Sequence, residues 1–214
     1  MITLVGPNER EYHVHQELLC AHSTYFAAAS KKDWKEGQEH RIPLLCDNFT
    51  AVGLYVQWTY GGEIFSRPGT VESEGQDGQP YSELRPLVEA FIFGEKIQDG
   101  AFKDAAIDSL IASINTPGKD DKCWYPSGSM VDRVYEGTPE GSPLRRLMVV
   151  IHVNHGGRKW LEGVTNMEFL KDLAGDLYID REAETYRANP TASHLKSCGY
   201  HHHDEDGLCY SETT

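Results

Sequence analysis

Long apolar runs are missing from this chain. Nowhere do about eighteen consecutive apolar residues occur, so no segment reads as a membrane-spanning helix. Clustered cations are missing too: 20 basic residues face 33 acidic ones, the formal net charge is −13, and Lys and Arg form no run. Neutralising a phosphate backbone or an anionic bilayer requires such clusters, so neither nucleic acid nor a membrane is expected as a partner. Cysteine is scarce. Its five residues are an odd number and widely spread, unlike the paired framework of a small secreted domain. The opening stretch MITLVGPNER lacks the basic region, apolar run and cleavage site of a secretion signal. These absences predict an intracellular protein, cytoplasmic, nuclear or both. No Gly-x-Ser-x-Gly elbow, Gly-x-Gly-x-x-Gly loop, phosphate-loop lysine or His-Glu-x-x-His helix occurs.

What is present suffices for a folded domain. The chain has 214 residues, 39% of them hydrophobic, enough for one domain with an extension or for two small ones. ITLV is β-rich, PNE reads as a turn, and REYHVH alternates, which predicts a hairpin over residues 2–15. From Gln16 the apolar spacing turns helical, and Ser23 is placed to cap a second short helix carrying Phe26. RIPLL predicts a short edge strand. Asp47 or Asn48 then opens a helix presenting Phe49, Val52, Tyr55, Val56 and Thr59, which Gly61-Gly62 stops. The stretch 66–80 is an acidic loop. Two amphipathic helices follow, one with Leu84, Leu87, Val88, Phe91 and Ile92, the other with Phe102, Ala105, Ala106, Leu110 and Ile114, punctuated by Gly100. Further on, Ser142-Pro143 starts a helix with a Leu144, Leu147, Met148, Ile151 stripe. Thr165 and Glu168 have capping-box spacing ahead of Phe169, Leu170, Leu173, Ala174 and Leu177.

The stretch YHVHQELLCAHSTYF concentrates His13, His15, Cys20 and His22. Such a group could ligate a metal or pair a nucleophile with a base. Val14, Leu18, Leu19, Tyr25 and Phe26 fill the gaps between them, as a strand-to-helix core would, and Cys20 is then a small buried hydrophobe. These residues resemble the signature of BTB/POZ domains, in which a strand running into a histidine is followed by a helical hairpin closing on Ser-x-Tyr-Phe. RIPLL, QWTYGGEI and FIFGEKIQDGAFKDAAIDSLI extend the resemblance in order through residue 115. It is similar above all to the fungal BTB proteins, whose C-terminal halves carry a Y-E-G-T…LRRL stretch like Tyr135–Leu147.

The resemblance implies an α/β (α+β) fold, a small sheet flanked by a cluster of helices, with a C-terminal helical extension. It assigns 1–115 to the BTB/POZ domain; the sequence pattern beyond it is read as a linker over 116–142, a helical extension over 143–190 and a Cys/His-containing polar tail over 191–214. The resemblance makes His15 structural and Leu18, Leu19, Tyr25 and Phe26 core residues. It also implies a non-catalytic protein–protein interaction module, not an enzyme, whose partners are itself, other BTB proteins or cullin-3, with a ubiquitin-ligase adaptor as the leading role. The alternative is a transcriptional or chromatin regulator that assembles through the domain; an uncatalogued enzyme is the most distant reading. A cullin contact is expected around 48–65 and the helix pair after Tyr81, although Ala51-Val52-Gly53 stands where the family usually has Ala-Phe-Glu. The family's usual charges are missing at Met1-Ile2 and Gln16, which predicts a monomer or weak dimer.

Two further His groupings carry chemistry. His152 and His155 lie at i, i+3 on a helix end, where histidines commonly serve the C-terminal carbonyls. The tail stretch CGYHHHDEDGLC spaces Cys198, His201, His203 and Cys209 as Cys-x2-His-x-His-x5-Cys, the thiolate and imidazole donors that a structural zinc takes.

Overall fold

The computed structural model describes residues 1–7, 10–31, 33–44, 47–64, 84–117, 121, 123–182 and 197–201. The acidic loop expected at 66–80 lies outside them. Strands β1 (Ile2–Val5) and β2 (Glu11–Val14) form the expected hairpin, pairing Ile2 with Val14 and Val5 with Glu11. Strand β3 (Arg41–Pro43) runs parallel to β1, so the order is β2-β1-β3 and the proline sits on an edge. Ile2, Leu4, Val14 and Ile42 point from this sheet into the core.

Between β2 and β3 come α1 (Gln16–His22), α2 (Thr24–Ala29) and α3 (Lys35–Glu39). Ser23 explains the break between α1 and α2. Its hydroxyl accepts from the Phe26 N–H at 3.1 Å, capping α2, and donates to the Ile97 carbonyl at 2.6 Å. One buried serine thereby starts a helix and ties it to the end of a later one, Leu84–Ile97.

Helix α4 (Phe49–Gly61) is capped by Asn48, whose side-chain oxygen accepts from the Thr50 and Ala51 N–H groups. Gly62 closes it in the left-handed region, φ 71°, where a side chain would be strained. Helices α5 (Leu84–Ile97) and α6 (Gly100–Asn115) pack as a long antiparallel pair against α4. Gly100 is the first residue of α6 rather than a break. The turn is made by Gln98 at φ 55° and by Asp99, which accepts from the Phe102 N–H at 3.0 Å as the N-cap.

Asp99 is fully buried and also accepts from the Tyr55 hydroxyl at 3.0 Å. Burial pushes its carboxyl above the ordinary range, and the bonds from Phe102 and Tyr55 oppose that shift only in part. A raised folded-state pKa means that the proton-bound form is the better folded one. Its stabilisation is full below the ordinary carboxylate value and is lost as pH rises through the raised one. Asp99→Asn keeps the cap acceptor without the charge, so its stability relative to the natural chain should improve between pH 4 and pH 7 in urea titrations; a pH-independent difference would contradict this. Asp99→Ala should lose about 2–4 kcal/mol, from the cap and from an unpaired Tyr55 hydroxyl.

Helix α7 (Gly128–Gly137) corrects the reading of 116–142 as a linker. It buries Met130, Val131, Val134 and Tyr135 against α5 and the helices that follow. Helix α8 (Pro143–His155) buries the expected stripe. Helix α9 (Met167–Glu182) starts one residue later than the capping box implied. Asn166, not Thr165, accepts from the Phe169 N–H, because Thr165 gives its N–H and hydroxyl to Asp132. Only the first half of its stripe is covered: Phe169 and Leu173 are buried, whereas Ala174 and Leu177 are exposed. One buried core nevertheless runs from Ile2 to Leu173, joining the sheet, α1, α2, α4–α6 and the C-terminal helices. No helix among the described residues is long and apolar enough to cross a membrane.

Candidate interaction surface

The Tyr12–Phe26 stretch resolves into packing. Leu19 and Phe26 are fully buried, while Leu18 and Tyr25, expected in the core, are half-buried at its edge. Cys20 is half-buried too, not enclosed, with Sγ 3.6 Å from the Ser30 hydroxyl. His22 is exposed, edge-on to Trp58, and His13 bonds Thr3 on the sheet surface, so the histidines and the cysteine do not converge. His15 joins the sheet to α4. The Tyr60 hydroxyl accepts from its backbone N–H at 3.1 Å and bonds its Nδ1 at 2.6 Å. Both side chains are exposed, so this pair belongs to the outer face.

The larger feature is a cleft of about 480 Å³ where α4 begins, between α5 and α7. Ile92, Phe93, Gly137 and Pro139 are the apolar part of its lining. A Cβ on Gly137 would come within 2.7 Å of the Ile92 side chain, so glycine sets how closely α7 approaches α5. Charged side chains inside the cleft and at its rim are paired. Arg133 of α7 grips Glu89 of α5 through Nε at 2.8 Å and Nη2 at 2.9 Å. Lys96 of α5 bonds both oxygens of Asp47 at 2.7–2.8 Å. The hydrogen bonds from Arg133 to Glu89 raise the already high pKa of the guanidinium, which stays charged throughout the physiological range. Sequence reasoning placed α4 and the α5–α6 pair at this surface but not α7. The signal for α7 was present as Met130, Val131, Val134 and Tyr135 at helical spacing.

Arg145 organises the other side of the extension. Its Nη2 donates to the carbonyls of Tyr135 and Thr138, its Nε to the Thr138 hydroxyl at 3.2 Å and its Nη1 to Glu168 at 2.8 Å. The guanidinium also lies 4.5 Å from the centre of the Tyr135 ring. Tyr135, Gly137, Thr138 and Arg145 of the Y-E-G-T…LRRL stretch thus form one unit, in which a buried arginine caps the C-terminus of α7.

His152 and His155 face different neighbours. His152 is buried between Trp160 and Phe169 with Nδ1 donating to the Met148 carbonyl at 2.8 Å, while His155 stacks on Tyr125. Burial holds both below the usual imidazole pKa, which favours the neutral ring. Of the expected zinc ligands, His203, Cys209 and the side chain of Cys198 lie outside the described residues. His201 is buried, its Nε2 donating to Asp108 of α6 at 2.7 Å. No group of three or more metal-binding side chains occurs among the described residues.

Compared with known families, residues 2–79 match the model of the BTB/POZ domain. The match spans β1 to α4, while α5 and α6 lie past its end and share the core. No curated protein matches the chain.

Proposed function

We propose, from the BTB/POZ domain at residues 2–79, that this protein is a non-catalytic adaptor that brings a partner to a cullin-3 ubiquitin ligase. BTB/POZ domains are protein–protein interaction modules, and the observation that carries the finer reading is the α4–α5–α7 cleft. It joins the helices expected to carry a cullin contact to the first helix of the extension, and its lining mixes apolar and charged side chains. The Tyr135–Leu147 unit supports the fungal type of the family. Purified protein should retain cullin-3 at micromolar concentration, and Lys96→Glu should weaken that retention by changing a rim charge. Recovery of no cullin would remove the adaptor, and recovery of chromatin proteins instead would favour the regulator that assembles through the domain.

The tail carries a separate proposal, one zinc held by Cys198, His201, His203 and Cys209. What favours it is that Cys198 falls in an ordered 3₁₀ turn (Ser197–Tyr200) that runs directly into His201, so part of the ordering cost is already met. Structural zinc contributes about 10–16 kcal/mol of apparent binding energy in small peptides. Coordination through Nε2 of His201 would replace its bond to Asp108. Purified untagged protein should carry stoichiometric zinc that Cys198→Ser with Cys209→Ser removes. Metal well below one per chain after growth in zinc-supplemented medium would rule the site out.

A further inference from the structure

Residues 197–201 return from far along the chain to lie across α6 and α8. Each part of this short segment is held by a different chemistry. The Gly199 carbonyl accepts from Arg146 Nη2 of α8 at 3.2 Å. Tyr200 packs, partly buried, against the main core. His201 is enclosed, its side chain only 2% exposed, and its Nε2–H donates to the Asp108 carboxylate of α6. A backbone clamp, an aromatic seat and a carboxylate at its inner end make a groove that reads a short 3₁₀ turn and the residue after it: carbonyl, then ring, then base. The groove also spans two parts of the protein, since α6 closes the helix pair after the BTB/POZ match and α8 belongs to the extension.

We propose that the α6–α8 groove is a peptide-binding site occupied in cis by residues 197–201, and that a partner segment with an aromatic residue followed by a histidine or other cation displaces them. Asp108 supplies the charge complementarity for the base, and Arg146 fixes the direction of the bound chain through a main-chain oxygen that any sequence offers. A tethered occupant competes at a millimolar-scale effective concentration, so an outside segment is excluded unless it binds well or the tail is drawn away. The proposal goes beyond the adaptor reading and does not need it: absence of cullin in the pull-down leaves this groove and its occupant unchanged.

The test uses the full chain and a labelled peptide of residues 195–203 with serine in place of Cys198. A Tyr200→Ala, His201→Ala double variant vacates the groove and should bind the peptide at least about ten-fold more tightly than the natural chain. Adding Asp108→Asn to that variant should weaken binding again by about ten-fold, the loss expected for one charge-assisted hydrogen bond. A peptide with glutamate at the His201 position should not bind. Retention of the cooperative thermal transition in each variant shows that the fold is intact, and Asp108→Asn preserves the side-chain shape. Equal binding by the natural chain and the double variant, or no binding to the folded double variant at millimolar peptide, would overturn the proposal.

Discussion

Replacing Phe26 with alanine should destabilise the protein by about 3–5 kcal/mol, the range for deleting a buried phenylalanine. Phe26 is completely enclosed. Its ring stacks on Tyr55 at 5.8 Å and meets Tyr25 edge-on at 5.3 Å. Tyr55 in turn touches Trp58, Phe93 and Phe102, so the cavity would open in an aromatic cluster shared by α2, α4, α5 and α6. Large planar rings anchored at Ser23, Asp99 and the helix contacts have little freedom to collapse inward, which places the loss towards the upper end. Urea denaturation should show a lower midpoint with an unchanged slope. Leu18→Ala, at a half-buried position on the preceding helix, should cost distinctly less. A Phe26→Ala loss below about 1 kcal/mol would mean that Phe26 is not the keystone of this cluster.

Arg145→Ala should have an effect of similar size for a different reason. The ion pair with Glu168 contributes little, because the Glu168 side chain is 67% exposed and water screens it. The loss comes instead from the carbonyls of Tyr135 and Thr138 at the end of α7, which accept from this one guanidinium in a buried setting. Each buried acceptor left unpaired costs about 1–3 kcal/mol, and the contact with the Tyr135 ring adds to it, so a total of about 3–5 kcal/mol is expected. Arg145→Lys should recover only a minor part, since an ammonium cannot reach several divergent acceptors as a planar fork does. Glu168→Gln should be nearly neutral by the same measurement. If Glu168→Gln matched Arg145→Ala, the salt bridge rather than the carbonyl capping would be the source of stability.

The local elements were legible in the sequence because their causes are local. Alternation over residues 11–14, the Ser23 and Asn48 caps and the Gly62 stop each depend on a few neighbouring residues, and all stand where the pattern put them. The signature that pointed to a BTB/POZ fold is made of the same short-range features, strung along the chain at set intervals. Tertiary structure decided what depends on partners distant in sequence. Helix α4 buries Leu54 and Trp58 beyond its expected face because β2 and α1 pack on it as well as α5, so a single apolar stripe understates what it covers. Thr165 yielded the cap of α9 to Asn166 because Asp132, on another helix, offered its carboxylate. Those bonds from Thr165 and Asn166 outweigh the opposing effect of burial and hold Asp132 below its usual pKa, a balance set by folding alone. Arg145 reads in sequence as one more surface charge on an amphipathic helix, and only the helix ends converging on it make it a buried cap. His201 finds Asp108 across 93 residues, a pairing that no local periodicity encodes, because it exists only after α6 and α8 have assembled the groove between them.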